Sequence, residues 1–311
     1  MATQETRQLD EIISSRRAMM LTGGIALAGL MLPRAAGAAT LTDNDVLNFA
    51  LNLEYLEAQF YNLAAFGVTI DKLPTPIPVA VNGGTAGAVT VKPSFAKVPF
   101  SSKVIAAYAA ETAVEERKHV TFLQGALGSA AVSMPNIDLY HSFNTLASAA
   151  GIGSAFDPFA NDADFLIGAY IFEDVGVTAY HGAAGAIQNK NTLGAAAGIL
   201  AVEAYHAGLI RTAINQLDAG TGTLNSLTQK ISAARAKLAN PSGTPVDDVG
   251  ITTVNVSLNG SASLPATTFV DADANSVAFA RTSSQIIQIV TGGSATNKGA
   301  FFTAGLNGTI K

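Results

Sequence analysis

The chain has 311 residues, of which 49% are apolar and 13% are charged, and its formal net charge is −5. This composition supports a large core and excludes a disordered chain, while the absence of Lys/Arg clusters gives no reason to expect nucleic acid as a partner. Cysteine is absent, so disulfides, thiolate catalysis and cysteine-ligated metals are excluded. Any metal must be held by oxygen and nitrogen.

Residues 1–38 are predicted to be a twin-arginine signal peptide. Ser-Arg-Arg at 15–17 precedes an apolar run over 19–32, and Ala-Gly-Ala at 36–38 offers a signal peptidase site. The apolar run has about fourteen residues, fewer than the ~20 that span a bilayer. The lysine often found after the arginines is absent, which leaves the general secretory route open. We expect a periplasmic or secreted protein with no membrane span in its mature chain.

Residues 39–220 are predicted to form a four-helix bundle. Apolar periodicity, polar N-caps and terminating glycines place the helices at about 43–66, 101–127, 161–189 and 192–217, with Asp43 as the first N-cap. The stretch from 68 to 100 is rich in Pro, Gly, Val and Thr, and we interpret it as a long loop or a small hairpin. The stretch from 129 to 160 is predicted to be a long crossover with a short helix around 137–149.

Residues 221–311 are predicted to be a C-terminal extension that packs on the bundle. Residues 250–270 alternate apolar and polar positions in the manner of a strand pair, so we expect a short β-hairpin. Residues 277–290 could form a fifth helix, followed by a polar, glycine-rich tail. This composition gives little reason for the extension to fold alone.

Two Glu-x-x-His motifs lie on the second and fourth predicted helices, Glu116 with His119 and Glu203 with His206. A spacing of three residues separates two side chains by 60° and one turn, so both can reach the same ion. Each motif lies on an apolar helical face, whereas Glu115 shares its face with polar residues and is expected to be half-solvated. A single motif of this kind would more often be a solvated glutamate beside a satisfied histidine.

The repetition of the motif changes that interpretation. With nine Glu in 311 residues, a given His has roughly a 3% chance of a Glu three places earlier. The chain has only four His, so two such pairs arise by accident on the order of once in 200 sequences. Buried carboxylates are also unfavourable unless a positive charge compensates them, and two metal ions would do so.

The other two helices are each expected to supply one carboxylate. Glu173 is the only glutamate of the third helix, and the neighbouring Asp174 is expected to lie at the rim. The first helix offers both Glu54 and Glu57, and burial does not distinguish them. Glu173 and Glu54 each have a tyrosine seven residues later, whereas Glu57 does not, so we prefer Glu54 and place Glu57 behind the ligands or at the rim.

Those two tyrosines, Tyr61 and Tyr180, are candidate catalytic residues. Each would lie one or two turns from the metals, where its phenol could donate a hydrogen bond to a ligand or to bound oxygen. A plain packing role is an equal alternative. The remaining histidines, His141 and His181, are interpreted as solvent-exposed or packing residues.

The motifs resemble the ferritin-like superfamily, in which two bundle helices carry one Glu each and two carry Glu-x-x-His. Glu-Glu-Arg-Lys-His at 115–119 is similar to the equivalent ferritin helix, and residues 48–61 look more like the bacterial and plant desiccation-related ferritin-like proteins. So do Ala-Phe-Ala-Arg-Thr at 278–282 and Gly-Leu-Asn-Gly at 305–308. The resemblance covers about 41–218 well and the tail loosely.

This resemblance implies an all-α core with a ferritin-like four-helix bundle. It matches Glu54 and Glu173 to the single-glutamate helices, as terminal ligands, and the two Glu-x-x-His motifs to the paired helices. In those motifs the glutamates would bridge two ions and the histidines would be outer nitrogen ligands. The surfaces of a closed ferritin cage are not recognisable, so iron storage in a cage is not implied.

Four carboxylates and two imidazoles balance the charge of two divalent ions, and oxygen-rich ligation suits two Fe or two Mn ions. One hypothesis is an oxidoreductase in which Fe(II) pairs are oxidised by O2 or H2O2. A second is dismutation of peroxide at a manganese catalase-like centre, and a third is a structural desiccation or stress protein without turnover. The sequence leaves open whether copies of the chain assemble into a homo-oligomer.

Overall fold

The structure is a computed structural model that describes residues 41–243, 247–257 and 264–311. The predicted signal peptide lies outside these described residues. The described helices, in chain order, are α1 (Asp43–Phe66), α2 (Lys103–Leu127), α3 (His141–Ala149), α4 (Asp162–Ala184), α5 (Lys190–Asp218), α6 (Thr223–Ala239) and α7 (Ser283–Val290). Four short strands accompany them: β1 (Val89–Thr90), β2 (Ile137–Asp138), β3 (Thr253–Val256) and β4 (Leu264–Thr267).

Side-chain caps set the starts of the bundle helices. Thr42 caps α1 by accepting from the backbone N–H of Asp45, whose carboxylate accepts in turn from the N–H of Thr42 at 2.8 Å. The N-cap is therefore Thr42, and the predicted Asp43 was wrong by one residue, because Asp45 at the third helical position completes a capping box with Thr42. Ser102 and Asn161 cap α2 and α4 by accepting from the backbone N–H three residues later, of Ile105 and Asp164.

Helices α1, α2, α4 and α5 form the four-helix bundle, and their contacts show antiparallel neighbours. Along α1 and α2, Asn62 meets Arg117, and Tyr55 meets Gln124. Helices α4 and α5 follow each other after a short link and also run in opposite directions. Each helix therefore lies beside its sequence neighbour, and the inward faces of all four converge on one axis.

The loop 68–100 and the crossover 128–161 contact each other on one side of the bundle. Strands β1 and β2 pair in parallel, with Val89 opposite Ile137 and Thr90 opposite Asp138. The loop therefore does not form a hairpin of its own, since its strand pairs with the crossover. Phe143 of α3, in the crossover, packs into the core of the bundle, where its ring centroid lies 6.0 Å from that of Phe60.

The extension is more helical than its sequence indicated. Strands β3 and β4 form the expected antiparallel pair, with Thr253 opposite Thr267. Helix α7 lies within the predicted fifth helix but starts only after Thr282, which forms a capping box with Gln285. Helix α6 was not predicted, so the described part of the extension contains two helices.

Buried ion pairs fasten the extension to the bundle. Asp174 of α4 accepts from Arg211 at 2.8 Å and from Arg235 of α6 at 2.9 Å. Arg235 also contacts Asp248 at 2.7 Å, and Asp248 contacts Arg281 at 2.9 Å. The prediction that Asp174 lies at the rim was wrong: only 2% of this residue is exposed, because arginines from α5 and the extension compensate its charge.

Apolar contacts complete this interface. The ring of Phe301 in the tail lies 4.9 Å from Phe172 of α4. Asn307 exchanges two hydrogen bonds with Asn52 of α1, both at 2.9 Å. The described residues within 41–273 and 277–311 form one compact unit.

Among the described helices, α5 alone has the length and hydropathy of a membrane span. A core helix can have the same properties, and α5 packs along α4 with Glu203 and His206 on its buried face. The described part of the chain therefore contains no clear membrane span.

Candidate metal centre

The bundle brings all six sequence-predicted ligand residues to one buried region. Glu54 comes from α1, Glu116 and His119 from α2, Glu173 from α4, and Glu203 and His206 from α5. The four glutamates are at most 1% exposed, and the histidines are 7% and 4% exposed. Such burial of four acidic side chains requires compensating positive charge.

The first group of candidate ligands consists of Glu54, Glu116, His119 and Glu203. One donor atom from each lies within 4.8 Å of the others. His119 Nδ1 is 3.2 Å from Glu54 Oε2, 3.3 Å from Glu203 Oε1 and 3.5 Å from Glu116 Oε2. Three helices thus supply oxygen and nitrogen donors around one point.

The second group consists of Glu116, Glu173, Glu203 and His206. Its single glutamate comes from α4 where the first group uses α1, and its histidine comes from α5 where the first group uses α2. His206 Nδ1 is 3.1 Å from Glu116 Oε1 and 3.4 Å from Glu173 Oε2. Glu116 and Glu203 belong to both groups, whereas Glu54 and Glu173 belong to one each. This is the arrangement expected of two bridging and two terminal carboxylates.

Eight atoms of these six side chains are buried without a hydrogen-bond partner among the described residues. They are Glu54 Oε2, both oxygens of Glu116, Glu173 Oε2, both oxygens of Glu203, and Nδ1 of His119 and His206. Buried polar atoms in native proteins are nearly always satisfied. Unsatisfied oxygens and imidazole nitrogens that face one another fit the donor set of two divalent cations.

The charges of the centre are strongly coupled. Burial raises the pKa of the Glu54 carboxyl to about 7, although His119 opposes the shift. Burial and the neighbouring Glu116 raise the pKa of Glu203 well above its usual value. Burial acts in the same direction on Glu116, but His119 and His206 outweigh it and lower the pKa of Glu116 to about 2. Burial disfavours both charged rings, yet the carboxylates outweigh it and raise the pKa of His119 and of His206.

Metal loading is therefore expected to release protons. With raised pKa values, His119 and His206 are protonated at neutral pH in the metal-free protein, and both must lose that proton to bind a cation. We expect about two protons per chain from the rings, and an affinity that rises with pH. Acidification of a weakly buffered solution on addition of Mn(II) measures this release together with the protons of Glu54 and Glu203, whose pKa values are also raised, so a histidine variant is needed to isolate the ring protons. The variant His206→Ala should release one proton fewer, and absence of acidification would contradict the charge state assigned to the rings.

The two predicted tyrosines bind the terminal carboxylates crosswise. The hydroxyl of Tyr61 on α1 donates to Glu173 Oε1 on α4, and that of Tyr180 on α4 donates to Glu54 Oε1 on α1. Each tyrosine thus orients the glutamate of the opposite helix, with the remaining oxygen facing the centre. Burial and the partner carboxylate raise the pKa of both phenols well above the usual value, so both remain protonated donors.

Glu57 is a fifth buried carboxyl beside the centre. It is 5% exposed, so the alternative rim position does not apply. It borders a small apolar void lined by Ile171, Val175 and Ile289. Burial raises its pKa well above the usual value, and the charges of Glu203 and other ligand carboxylates add to the shift. Glu57 is thus placed to hold a proton at neutral pH.

Glu115 was expected on a half-solvated face, and its side chain is 36% exposed. The sequence nevertheless missed its contact, because its carboxylate reaches across to α5 and lies 2.7 Å from His206 Nε2. A carboxylate on the outer nitrogen of a ligating histidine fixes the ring and raises its basicity.

Removing the charge of Glu115 is expected to weaken metal binding beside His206. For Glu115→Gln we expect a loss of about 10- to 100-fold in affinity at one of two sites, the usual effect of such outer contacts. Competitive titration of Mn(II) against a chelator would resolve the two binding steps. Glu111→Gln, which alters an exposed glutamate one turn earlier, is the matched control. Equal weakening of both steps would contradict a role specific to His206.

Gly176 of α4 makes room for the Glu203 carboxylate. A Cβ at this position would lie 2.4 Å from Glu203 Oε2, so a larger residue here would displace the Glu203 carboxylate. The other two histidines lie apart from the centre: His141 is exposed and pairs with Asp138, and His181 contacts the carbonyl of Phe279.

Comparison with known proteins agrees with this architecture. Residues 42–216 match the family model of the ferritin-like domain. The desiccation-related protein PCC13-62 of Craterostigma plantagineum is 33% identical over 250 residues, which cover 78% of this chain and 75% of the relative. The ferritin-like catalase Nec2 of Nesocodon mauritianus is 24% identical over 276 residues, 86% of this chain and 84% of the relative. No solved structure gives a significant match. The chain belongs to the ferritin-like superfamily, near the desiccation-related proteins.

Proposed function

We propose that the buried centre binds two iron or two manganese ions and consumes hydrogen peroxide. The observation that carries this proposal is the set of eight unsatisfied buried donor atoms on six converging side chains. Glu116 and Glu203, which belong to both groups of donors, would help to hold both ions, and Glu54 with His119 and Glu173 with His206 would complete one site each. Four carboxylates neutralise two divalent ions, so the loaded core carries no excess charge.

Two redox-active ions held by these residues would supply the two-electron chemistry that peroxide dismutation requires. The balanced reaction, 2 H2O2 to O2 and 2 H2O, moves protons from one peroxide to the other. Glu57 is suited to hold such a proton, because its carboxyl is buried beside the ligands and has a raised pKa. Tyr61 and Tyr180 keep the terminal carboxylates oriented.

The 24% identity to a ferritin-like catalase supports dismutation over simple oxidation of Fe(II). The ligand set itself suits both reactions. The Ser-Arg-Arg sequence and apolar run within 1–38 support export to the periplasm or beyond. Export by the twin-arginine route would fit a protein that acquires its metal while folded in the cytoplasm.

A structural role in desiccation or stress is the second candidate, favoured by the 33% identity to a desiccation-related protein. In that case the metals would stabilise the fold by binding the native state alone. The two candidates differ in turnover and share the metal centre.

The test loads the purified chain with Mn(II) or anaerobically with Fe(II), measures metal per chain by mass spectrometry, and follows H2O2 loss together with O2 release. We expect two ions per chain and one O2 for every two H2O2 consumed. Consumption of peroxide without O2, coupled to Fe(II) loss, would instead identify iron oxidation.

The variant Glu116→Ala is the control, since it removes a carboxylate from both groups of ligands. It should lose metal and turnover together. Fewer than one ion per wild-type chain would overturn both peroxide dismutation and Fe(II) oxidation as the function of the centre. Two ions without any peroxide consumption would support the structural candidate.

A further inference from the structure

A cavity of about 370 Å³ lies apart from the candidate metal centre, enclosed by α3, α6 and α7 with part of α4. None of the six candidate ligands lines it. The walls are mostly apolar, formed by side chains such as Phe143, Ile152, Ile231, Leu238 and Ile289. This volume is within the range of natural small-molecule sites.

Small residues keep the space open. Ala147, Ala150 and Ala234 line the cavity together with Gly292 and Gly293. Protein interiors normally leave few voids larger than a water molecule, and larger aliphatic side chains at these positions would fill the space and stabilise the fold. An apolar cavity of this size that persists between packed helices is therefore suited to an apolar ligand.

The charges at the cavity are positive. The guanidinium of Arg235 is committed to Asp174 and Asp248, so this residue adds its buried stem to the lining. Lys237 lies two residues further along α6, lines the cavity and is solvent-exposed. Among the described lining residues there is no Asp or Glu.

A second lysine of α6 lies near the same opening. Lys230 donates from Nζ to the carbonyl oxygen of Gly151 at 3.1 Å, beside the lining residues Ala150 and Ile152. Seven residues, or about two turns, separate the two lysines, so both lie on one face of α6. An apolar interior with lysines at its edge matches a ligand that has a hydrocarbon tail and one anionic end.

We propose that this cavity binds a medium-chain aliphatic carboxylate, with the tail between α3, α6 and α7 and the carboxylate at Lys237. The proposal is independent of metal chemistry. It also accounts for the apolar residues and the two lysines of α6 that the bundle itself does not require.

Isothermal titration calorimetry of the full chain with sodium dodecanoate tests the proposal. We expect one site per chain with a dissociation constant on the order of 10 µM. Ala234→Phe should fill the cavity and weaken binding at least about tenfold, with an unchanged circular dichroism spectrum. Ala150→Leu is a second filling variant in case the first fails to fold.

Two further measurements test the anionic end. Lys237→Glu should weaken dodecanoate binding about tenfold, while Lys103→Glu, an equal charge change at an exposed residue of α2, should leave it unaltered. Dodecanol should bind at least about fivefold more weakly than dodecanoate. No saturable binding, undiminished binding in both folded filling variants, or equal binding of dodecanol and dodecanoate would overturn the proposal.

Discussion

Glu203→Ala is expected to abolish both metal sites, whereas Glu54→Ala should abolish only one. Glu203 belongs to both groups of ligands, and its two oxygens are both buried without hydrogen-bond partners among the described residues. Glu54 belongs to a single group. Metal analysis after dialysis against Mn(II) should therefore give about two ions for wild type, one for Glu54→Ala and none for Glu203→Ala.

The same variants should separate metal binding from folding. Without metal, Glu203→Ala removes a buried carboxyl whose pKa is raised well above its usual value by burial and by the charge of Glu116, so the metal-free protein should be as stable as wild type or slightly more stable. With Mn(II) at about 100 times its dissociation constant, each occupied site adds ~2.7 kcal/mol to the free energy of unfolding. Wild type should gain this stabilisation at both sites, and Glu203→Ala at neither.

Glu111→Ala is the matched control, because Glu111 is an exposed glutamate on α2 outside both groups. It should retain two ions and the full stabilisation by Mn(II). One tightly bound ion in Glu203→Ala would contradict the bridging role and would make Glu203 a ligand of one site only.

The candidate ligands could be predicted because their signal is local. A spacing of three residues between Glu116 and His119 fixes their geometry on any helix, and the apolar face around them fixes the direction. The choice of Glu54 over Glu57 depends on the tyrosine seven residues later, Tyr61. This tyrosine does contact the centre, but it donates to Glu173 of α4, while Tyr180 of α4 donates to Glu54. Helical periodicity says nothing about which helix lies opposite.

The positions that sequence missed depend on distant parts of the chain. Asp174 looked like a rim residue because its partner Arg235 comes 61 residues later, from a helix that was not predicted. Helix α6 was missed because its first turns are rich in Thr, Asn and Ser, which favour caps and turns, although Ala, Leu, Lys and Arg follow them. The contact of Glu115 with His206 could not be predicted from sequence either, because it joins two different helices, α2 and α5.

The surroundings of Asp174 lead to the second large effect, which is on stability. Asp174→Ala should destabilise the fold by about 3–5 kcal/mol, because breaking one side of a buried ion pair leaves uncompensated charge. Here two arginines, Arg211 and Arg235, lose a partner at 2.8 and 2.9 Å, and both are at least 97% buried. Asp248 would still compensate Arg235, so the remaining cost falls mainly on Arg211.

Asp271 is expected to replace part of the negative charge that Asp174→Ala removes. Its carboxyl lies beside Asp174 and Arg211 at a small cavity, and burial together with Asp174 and Asp248 raises its pKa to about 8. In Asp174→Ala the loss of one negative neighbour should lower this pKa, so that Asp271 ionises at neutral pH and partly replaces the missing charge. Wild type, in which Asp271 has the higher pKa, takes up the proton of this carboxyl first as the pH falls and gains the stability that the uptake brings, so the stability deficit of the variant should widen from pH 8 to pH 6.

Urea denaturation of the metal-free chain at pH 8 and pH 6 measures both effects. The variant should unfold at lower urea than wild type at each pH, with the larger difference at pH 6. Asp164→Ala, at a half-buried aspartate on the same helix, should cost less than about 1 kcal/mol at either pH. A loss below 1 kcal/mol for Asp174→Ala at pH 6 would show that Arg211 finds compensation elsewhere. The ion pairs would then position the extension without holding it to the bundle.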